Sequence, residues 1–162
     1  MIGRFVPSLG GSEYLKFFYN LTRGEIPSVD LQSELNLQNA VLSLNEKKLL
    51  SSAKDLSLGG FLVALCKTAF GKQVGIKLNN FNFINLRNDI AMFGESSCSV
   101  IISYEKHLQE QIQEIVKSYA LQFFEIGESI SDYSLQIESL NLKISMDKLQ
   151  KNFEEGLVKY FE

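Results

Sequence analysis

The sequence predicts a mixed α/β chain of the α+β type, with a mostly antiparallel or mixed sheet and helices packed on it. Three observations predict this. Helical segments come first, then strands alternate with helices, and a hairpin and a closing helix end the chain. The stretch GFLVALCKTAFG, about 59–70, is apolar almost all round with Lys67 its only charge, which marks a helix buried on most faces. SLQIESLNLKIS reads as two short strands turning near Ser139 to Asn141, and a hairpin implies antiparallel neighbours in the sheet.

The first helix is expected in SEYLKFFYNLT, with Ser12 as N-cap, Glu13 favourably placed in its first turn, and Gly24 and Pro27 breaking it. A second helix is expected from about Asp30 to Lys48, with Leu31, Leu35, Val41, Leu42 and Leu49 near one side. LLSSAKDLSLGG supplies a short strand and a turn holding Asp55, and its glycines open onto the apolar helix. VGIKL alternates as a strand, and 79–88 is asparagine-rich, an irregular connection with room for one short helical turn. CSVIISY is a strand with a β-branched centre, expected in the same sheet as 74–78. EKHLQEQIQEIVKSYA carries Leu108, Ile112, Ile115, Val116 and Tyr119 on a helical stripe, and QFFEIGESI reads as a further strand. Ser145 is placed to cap a last helix with Met146, Leu149, Phe153, Leu157 and Phe161 on one face.

With 162 residues, 45% hydrophobic and 22% charged, the chain fits one ordered domain. A net charge of −3 without a Lys/Arg cluster excludes a phosphate-neutralising face, so no nucleic-acid partner is expected. No apolar run approaches the ~18 residues that cross a bilayer, so no membrane partner is expected either. MIGRFVPSLGG has no signal-peptide pattern. Cys66 and Cys98 sit in apolar contexts and read as buried free thiols, which points to a reducing, cytoplasmic location.

His107 is the only histidine and should face water, which leaves no His/Cys metal cluster and no visible nucleophile–base pair. Three short stretches stand out instead: LGGSEYL at 9–15, SAKDLSLGG at 52–60 and MFGESSCSV at 92–100. Each puts glycine or acid where regular structure meets a turn, where a backbone can bend sharply or approach another group closely.

In this order and spacing the three stretches resemble the C-terminal lid domain of the phosphoribosylformylglycinamidine synthases. These enzymes belong to the aminoimidazole-ribonucleotide-synthetase-like (AIR-synthetase-like) ATP-binding superfamily. The resemblance covers essentially the whole chain. It implies one AIR-synthetase-like C-terminal domain over 1–162, a fragment of a longer chain. The full enzyme uses ATP, Mg²⁺ and glutamine-derived ammonia to convert formylglycinamide ribonucleotide to formylglycinamidine ribonucleotide in purine biosynthesis. Implied partners are the remaining domains of its own polypeptide, a glutaminase subunit and a small accessory subunit.

By the family's internal duplication, Asp55 matches a magnesium-binding aspartate, and Glu95, Ser96 and Ser97 match a substrate-contacting stretch. Lys54 stands where the family usually has histidine, Leu58 where it has a second aspartate, and Ser99 where an arginine is usual. These departures favour a structural or degenerate half-site, with no catalytic residue on this chain and no activity from it alone. Lids of selenophosphate synthetase, hydrogenase-maturation or thiamine-phosphate kinase type share the Asp-to-Gly-Gly turn and stay open as alternatives, as does a non-catalytic binding or assembly module.

Overall fold

The computed structural model describes residues 1–79 and 86–156. They form two compact units, 1–65 with 86–124 and 66–79 with 125–156. Most of the asparagine-rich connection, and Leu157 and Phe161 of the expected last face, lie outside the described residues.

The first unit is built on a four-stranded antiparallel sheet in the order β2-β4-β1-β5, from β1 (Ile2–Gly3), β2 (Ser52–Asp55), β4 (Ser99–Ser103) and β5 (Gln122–Phe123). Two helices pack with it: α2 (Leu31–Glu46) and α5 (Gln109–Ser118). Asp30 caps α2, its carboxylate accepting from the Ser33 amide at 3.0 Å. Ile112 and Val116, one turn apart on α5, meet Leu37 and Leu44 of α2 and Ile2, Cys98 and Ile102 in one core. Full burial of each such aliphatic side chain stabilises by about 1.5–3 kcal/mol.

The buried face of α2 is not the one its leucines suggest. Leu37, Ala40 and Leu44 are buried, whereas Leu31, Leu35 and Leu42 are exposed. At ~100° per residue the latter three lie roughly 120–160° round the helix from Leu37. Val41 packs at the core margin and Leu49 is buried just beyond the helix end.

The short helix α1 (Glu13–Tyr19) starts where the sequence places it. Ser12 Oγ accepts from the Leu15 amide at 3.3 Å and donates to the Leu9 carbonyl at 2.6 Å. The helix stops at Asn20, which takes the left-handed conformation (φ 52°), before Gly24 and Pro27 are reached. A six-residue helix, α4 (Asn88–Phe93), begins where an irregular connection was expected to end. Arg87 and Asp89 clamp its first turn through two hydrogen bonds of 2.6 and 2.9 Å. That pairing holds the Asp89 carboxyl below the usual carboxylate range.

The second unit carries a mixed four-stranded sheet in the order β6-β3-β7-β8, from β3 (Gly75–Leu78), β6 (Gly127–Ile130), β7 (Ser134–Ile137) and β8 (Leu142–Ser145). β7 and β8 form the expected hairpin, with Asn141 left-handed at the turn (φ 48°), and β3 pairs in parallel with β7. The final helix α6 (Met146–Glu154) starts after Ser145, which occupies the cap position without a side-chain cap bond. Met146 is fully buried, whereas Phe153 is half exposed and stacks beneath Lys67, whose ammonium lies 4.8 Å from the ring centre.

Two expectations about the sheet are corrected. Strand 75–78 and strand 99–103 belong to different sheets, not one. QFFEIGESI is not a continuous strand: Gln122–Phe123 pairs with β1, Gly127–Ile130 pairs with β3, and the chain passes from the first unit to the second between them. The apolar helix, α3 (Gly60–Ala69), has no exposed side chain, in keeping with its composition. Cys66 and Cys98 are buried free thiols, and burial pushes the Cys66 thiol up to about 11.

Candidate functional site

The three glycine-bearing stretches, far apart in sequence, meet at one carboxylate. Glu95 Oε1 accepts the Glu13 amide at the first turn of α1 and the Gly59 amide of the SLGG turn, each at 3.0 Å. The Glu95 backbone adds a two-way antiparallel bridge to Ser8, with both N–H to O distances at 2.9 Å. One residue of MFGES therefore ties together LGGSE and SLGG.

The glycines allow this closeness. At Gly60 (φ +75°) an added Cβ would lie 2.6 Å from the Gly94 carbonyl oxygen, so the SLGG turn rests directly on the FGE turn. At Gly10 a Cβ would lie 2.0 Å from the Glu25 carbonyl oxygen, where the chain returning from α1 passes against LGG. No L side chain fits either gap without moving backbone.

Ser96 is buried. Its hydroxyl accepts from the Val6 amide at 3.2 Å and donates to the Ser97 carbonyl at 2.9 Å. Ser97 Oγ donates to the Ser28 carbonyl at 3.0 Å, which fastens the segment leading into α2. In this conformation the hydroxyl protons of both serines are engaged within the first unit. Asp55 is the last residue of β2, paired with Val100 across the sheet, rather than part of the following turn. Its carboxylate is ion-paired with Lys54 and 66% exposed.

Mg²⁺ demands several hard oxygen ligands in near-octahedral geometry. Among the described residues no three His, Cys, Asp or Glu side chains come together in a way that holds a metal. An aspartate neutralised by its lysine neighbour is a poor start for such a set, so the residues around Asp55 do not fit a resident Mg²⁺. The motif neighbourhood has the build of a clasp: acceptor oxygens and backbone donors matched to each other.

Two participants escaped sequence reading. The Glu13 amide was foreseeable in principle, because the first amides of a helix lack intrahelical partners. Ser8, facing Glu95, carries no motif at all. Ser99 is 4% exposed, and its hydroxyl has no hydrogen-bond partner among the described residues. Ser99→Ala removes that unsatisfied oxygen and is expected to raise stability by about 1 kcal/mol, read as a higher urea midpoint at unchanged m-value. A loss of the same size would mean that the hydroxyl is satisfied.

The family model described as "AIR synthase related protein, C-terminal domain" matches residues 2–138. The chain belongs to this family. Among curated relatives, the phosphoribosylformylglycinamidine synthase subunit PurL of Leptospira biflexa is 34% identical across 100% of the chain. The same subunit from Aquifex aeolicus is 32% identical over 88% of it. The chain spans only about a fifth of these relatives, 22% and 19% of their lengths respectively. Among solved structures, T. maritima PurL complexed with FGAR aligns with 92% of the chain and 27% of its own length, at TM-score 0.79 and 18% identity. T. maritima PurL complexed with ATP aligns with the same 92%, and 25% of its own length, at TM-score 0.72 and 17% identity. The AIR synthase-related fold is thus shared.

Proposed function

We propose that this chain serves as the C-terminal lid domain of a phosphoribosylformylglycinamidine synthase. In that enzyme ATP, Mg²⁺ and glutamine-derived ammonia convert formylglycinamide ribonucleotide to the amidine in the cytoplasm. The observation that carries the reading is the 34% identity to the Leptospira biflexa subunit along the chain's whole length. A glutaminase subunit and a small accessory subunit complete the proposed assembly. The motif residues contribute shape: Glu95, Ser96 and Ser97 hold the glycine turns and the neighbouring segments together, and Asp55 closes β2 with Lys54. ATP and Mg²⁺ are assigned to the remainder of the enzyme.

Phosphoryl activation needs metal ligands, a phosphate cradle and placed acid/base groups together. The 162-residue chain, incubated with ATP, Mg²⁺, ammonia and formylglycinamide ribonucleotide, is therefore expected to release no phosphate and form no amidine. Turnover above a heat-killed control, lost on Glu95→Ala or Asp55→Ala, would overturn the reading. Independently, the reading frame upstream of Met1 is expected to stay open and encode an ATP-type domain. A promoter and ribosome-binding site there would favour a free-standing binding module.

A further inference from the structure

The helix α1 has the composition of a core element and buries none of its side chains. Phe17, Phe18 and Tyr19 are 82%, 64% and 60% exposed. They are not scattered: Tyr14 lies 5.0 Å from Phe18, 6.1 Å from Tyr19 and 5.2 Å from Phe93, and Phe17 lies 5.1 Å from Phe18. Leu58, 68% exposed, precedes Gly59, whose amide shares the Glu95 oxygen with the start of α1. Contiguous aromatic surface of this kind is where protein partners bind.

The only charged residues of α1, Glu13 and Lys16, pair with each other at 3.2 Å, so the helix offers no net charge. An anionic bilayer or a nucleic acid would select a Lys/Arg-rich face, which is missing here. A second copy is disfavoured by area. Aromatic side chains offer about 150–250 Å² each, so three mostly exposed rings supply roughly 300–500 Å². That falls short of the ~800 Å² per partner of a free-standing complex. It matches one side of an interface between domains of a single chain, which totals about 600–1,500 Å².

We propose that the aromatic face of α1 is the docking surface for the rest of the synthase polypeptide, the nearly four-fifths of the Leptospira biflexa relative that the chain does not span. This rests on the function proposed above. The occupant is an apolar protein surface without net charge. α1 is held ready for it by the Ser12 cap, the Glu95 clasp and the stacking of Tyr14 on Phe93, while its other rings stay exposed.

The test replaces the matched C-terminal segment of the intact Leptospira biflexa subunit with this chain and compares the product with the chain alone. Hydroxyl-radical oxidation of Phe17 and Phe18 is expected to be at least ~3-fold slower in the fused protein than in the isolated chain, as for rings buried at an interface. Phe17→Asp with Phe18→Asp is expected to cut amidine formation by the fused protein at least ~10-fold while leaving the melting of the isolated chain unchanged. Equal oxidation in the two proteins overturns the docking surface. So does a concentration-dependent dimer of the isolated chain, seen by light scattering, that the double substitution abolishes. Protected rings in a fused protein that makes no amidine would sink the proposed function and keep the docking surface. Full activity of the doubly substituted fused protein would do the reverse.

Discussion

Glu95→Ala is expected to destabilise the first unit by about 3 kcal/mol, because it leaves two backbone amides without their charge-assisted acceptor. Those amides belong to Glu13 and Gly59, and both bonds end on the same carboxylate oxygen at 3.0 Å. The first effect should be local. Residues 13–19 bury no side chain fully, Tyr14 and Leu15 being half-buried with Tyr14 stacked on Phe93, so α1 leans heavily on its Ser12 cap and this clasp. Native-state amide exchange in α1 should accelerate by up to roughly 100-fold, with a smaller change in α5, whose Ile112 and Val116 are fully buried. Glu95→Gln keeps a carbonyl oxygen for both amides and loses only the charge, so about half the effect is expected. If Glu95 instead served only to contact a ligand, both variants would melt and exchange like the parent protein. That outcome would remove the clasp.

The clasp also separates what was legible in the sequence from what was not. Local signals survived folding well. Ser12 caps α1, the 134–145 hairpin turns at its left-handed asparagine, and the stripe on α5 faces the core, whereas Ser145 starts α6 without a side-chain cap bond. Each depends on residues within a few positions, where backbone chemistry decides the outcome. Partner choice over long range was not legible. Alternation in QFFEIGESI signals extended chain but does not say that its two halves pair with different sheets. On α2 the leucine count favoured one face, and the sheet selected another bearing Leu37, Ala40 and Leu44. A six-residue helix such as α4 holds too few turns for its periodicity to stand out, and it gained its definition from the Arg87–Asp89 clamp.

The three motifs stood out because each sets glycine or acid where regular structure meets a turn. Their meeting point was invisible, since Glu95 lies 36 residues from Gly59 and 82 from Glu13. Family resemblance supplied the grouping of the motifs, and only the fold supplied the geometry. The same geometry explains why Lys54, Leu58 and Ser99 can depart from the family pattern while the turns persist. None of the three provides an atom to the clasp: Lys54 pairs with Asp55, Leu58 faces solvent, and the Ser99 hydroxyl is buried without a partner among the described residues.

When the 162-residue polypeptide is prepared with Met1 as its first residue, so that the Met1 nitrogen is a free amine and not the peptide amide of a longer chain, its stability is expected to rise with pH by up to about 4 kcal/mol between pH 5 and 8. The amine donates to the Phe124 carbonyl at 2.7 Å within the first unit, and Met1 is only 2% exposed. Burial lowers its pKa from 8.0 to about 5, since the apolar surroundings oppose the ammonium form. Between those two values the unfolded chain binds a proton that the folded chain does not, so raising the pH through this window favours folding. Above pH 8 the amine is neutral in both states, and below pH 5 it is protonated in both, so the slope vanishes at either end. The carboxylates of Asp30, Asp89 and Asp132 are held below their usual range by hydrogen bonds and cations. Their stabilisation is lost only as the pH falls through the carboxylate range, which leaves the window from pH 5.5 to 7.5 dominated by the amine. Urea midpoints across that window should climb for the free amine. They should flatten when one additional residue precedes Met1, because the nitrogen is then an amide that keeps its donor and cannot ionise. A flat profile with the amine free would show that the N-terminus is solvated and that the Phe124 contact does not hold it.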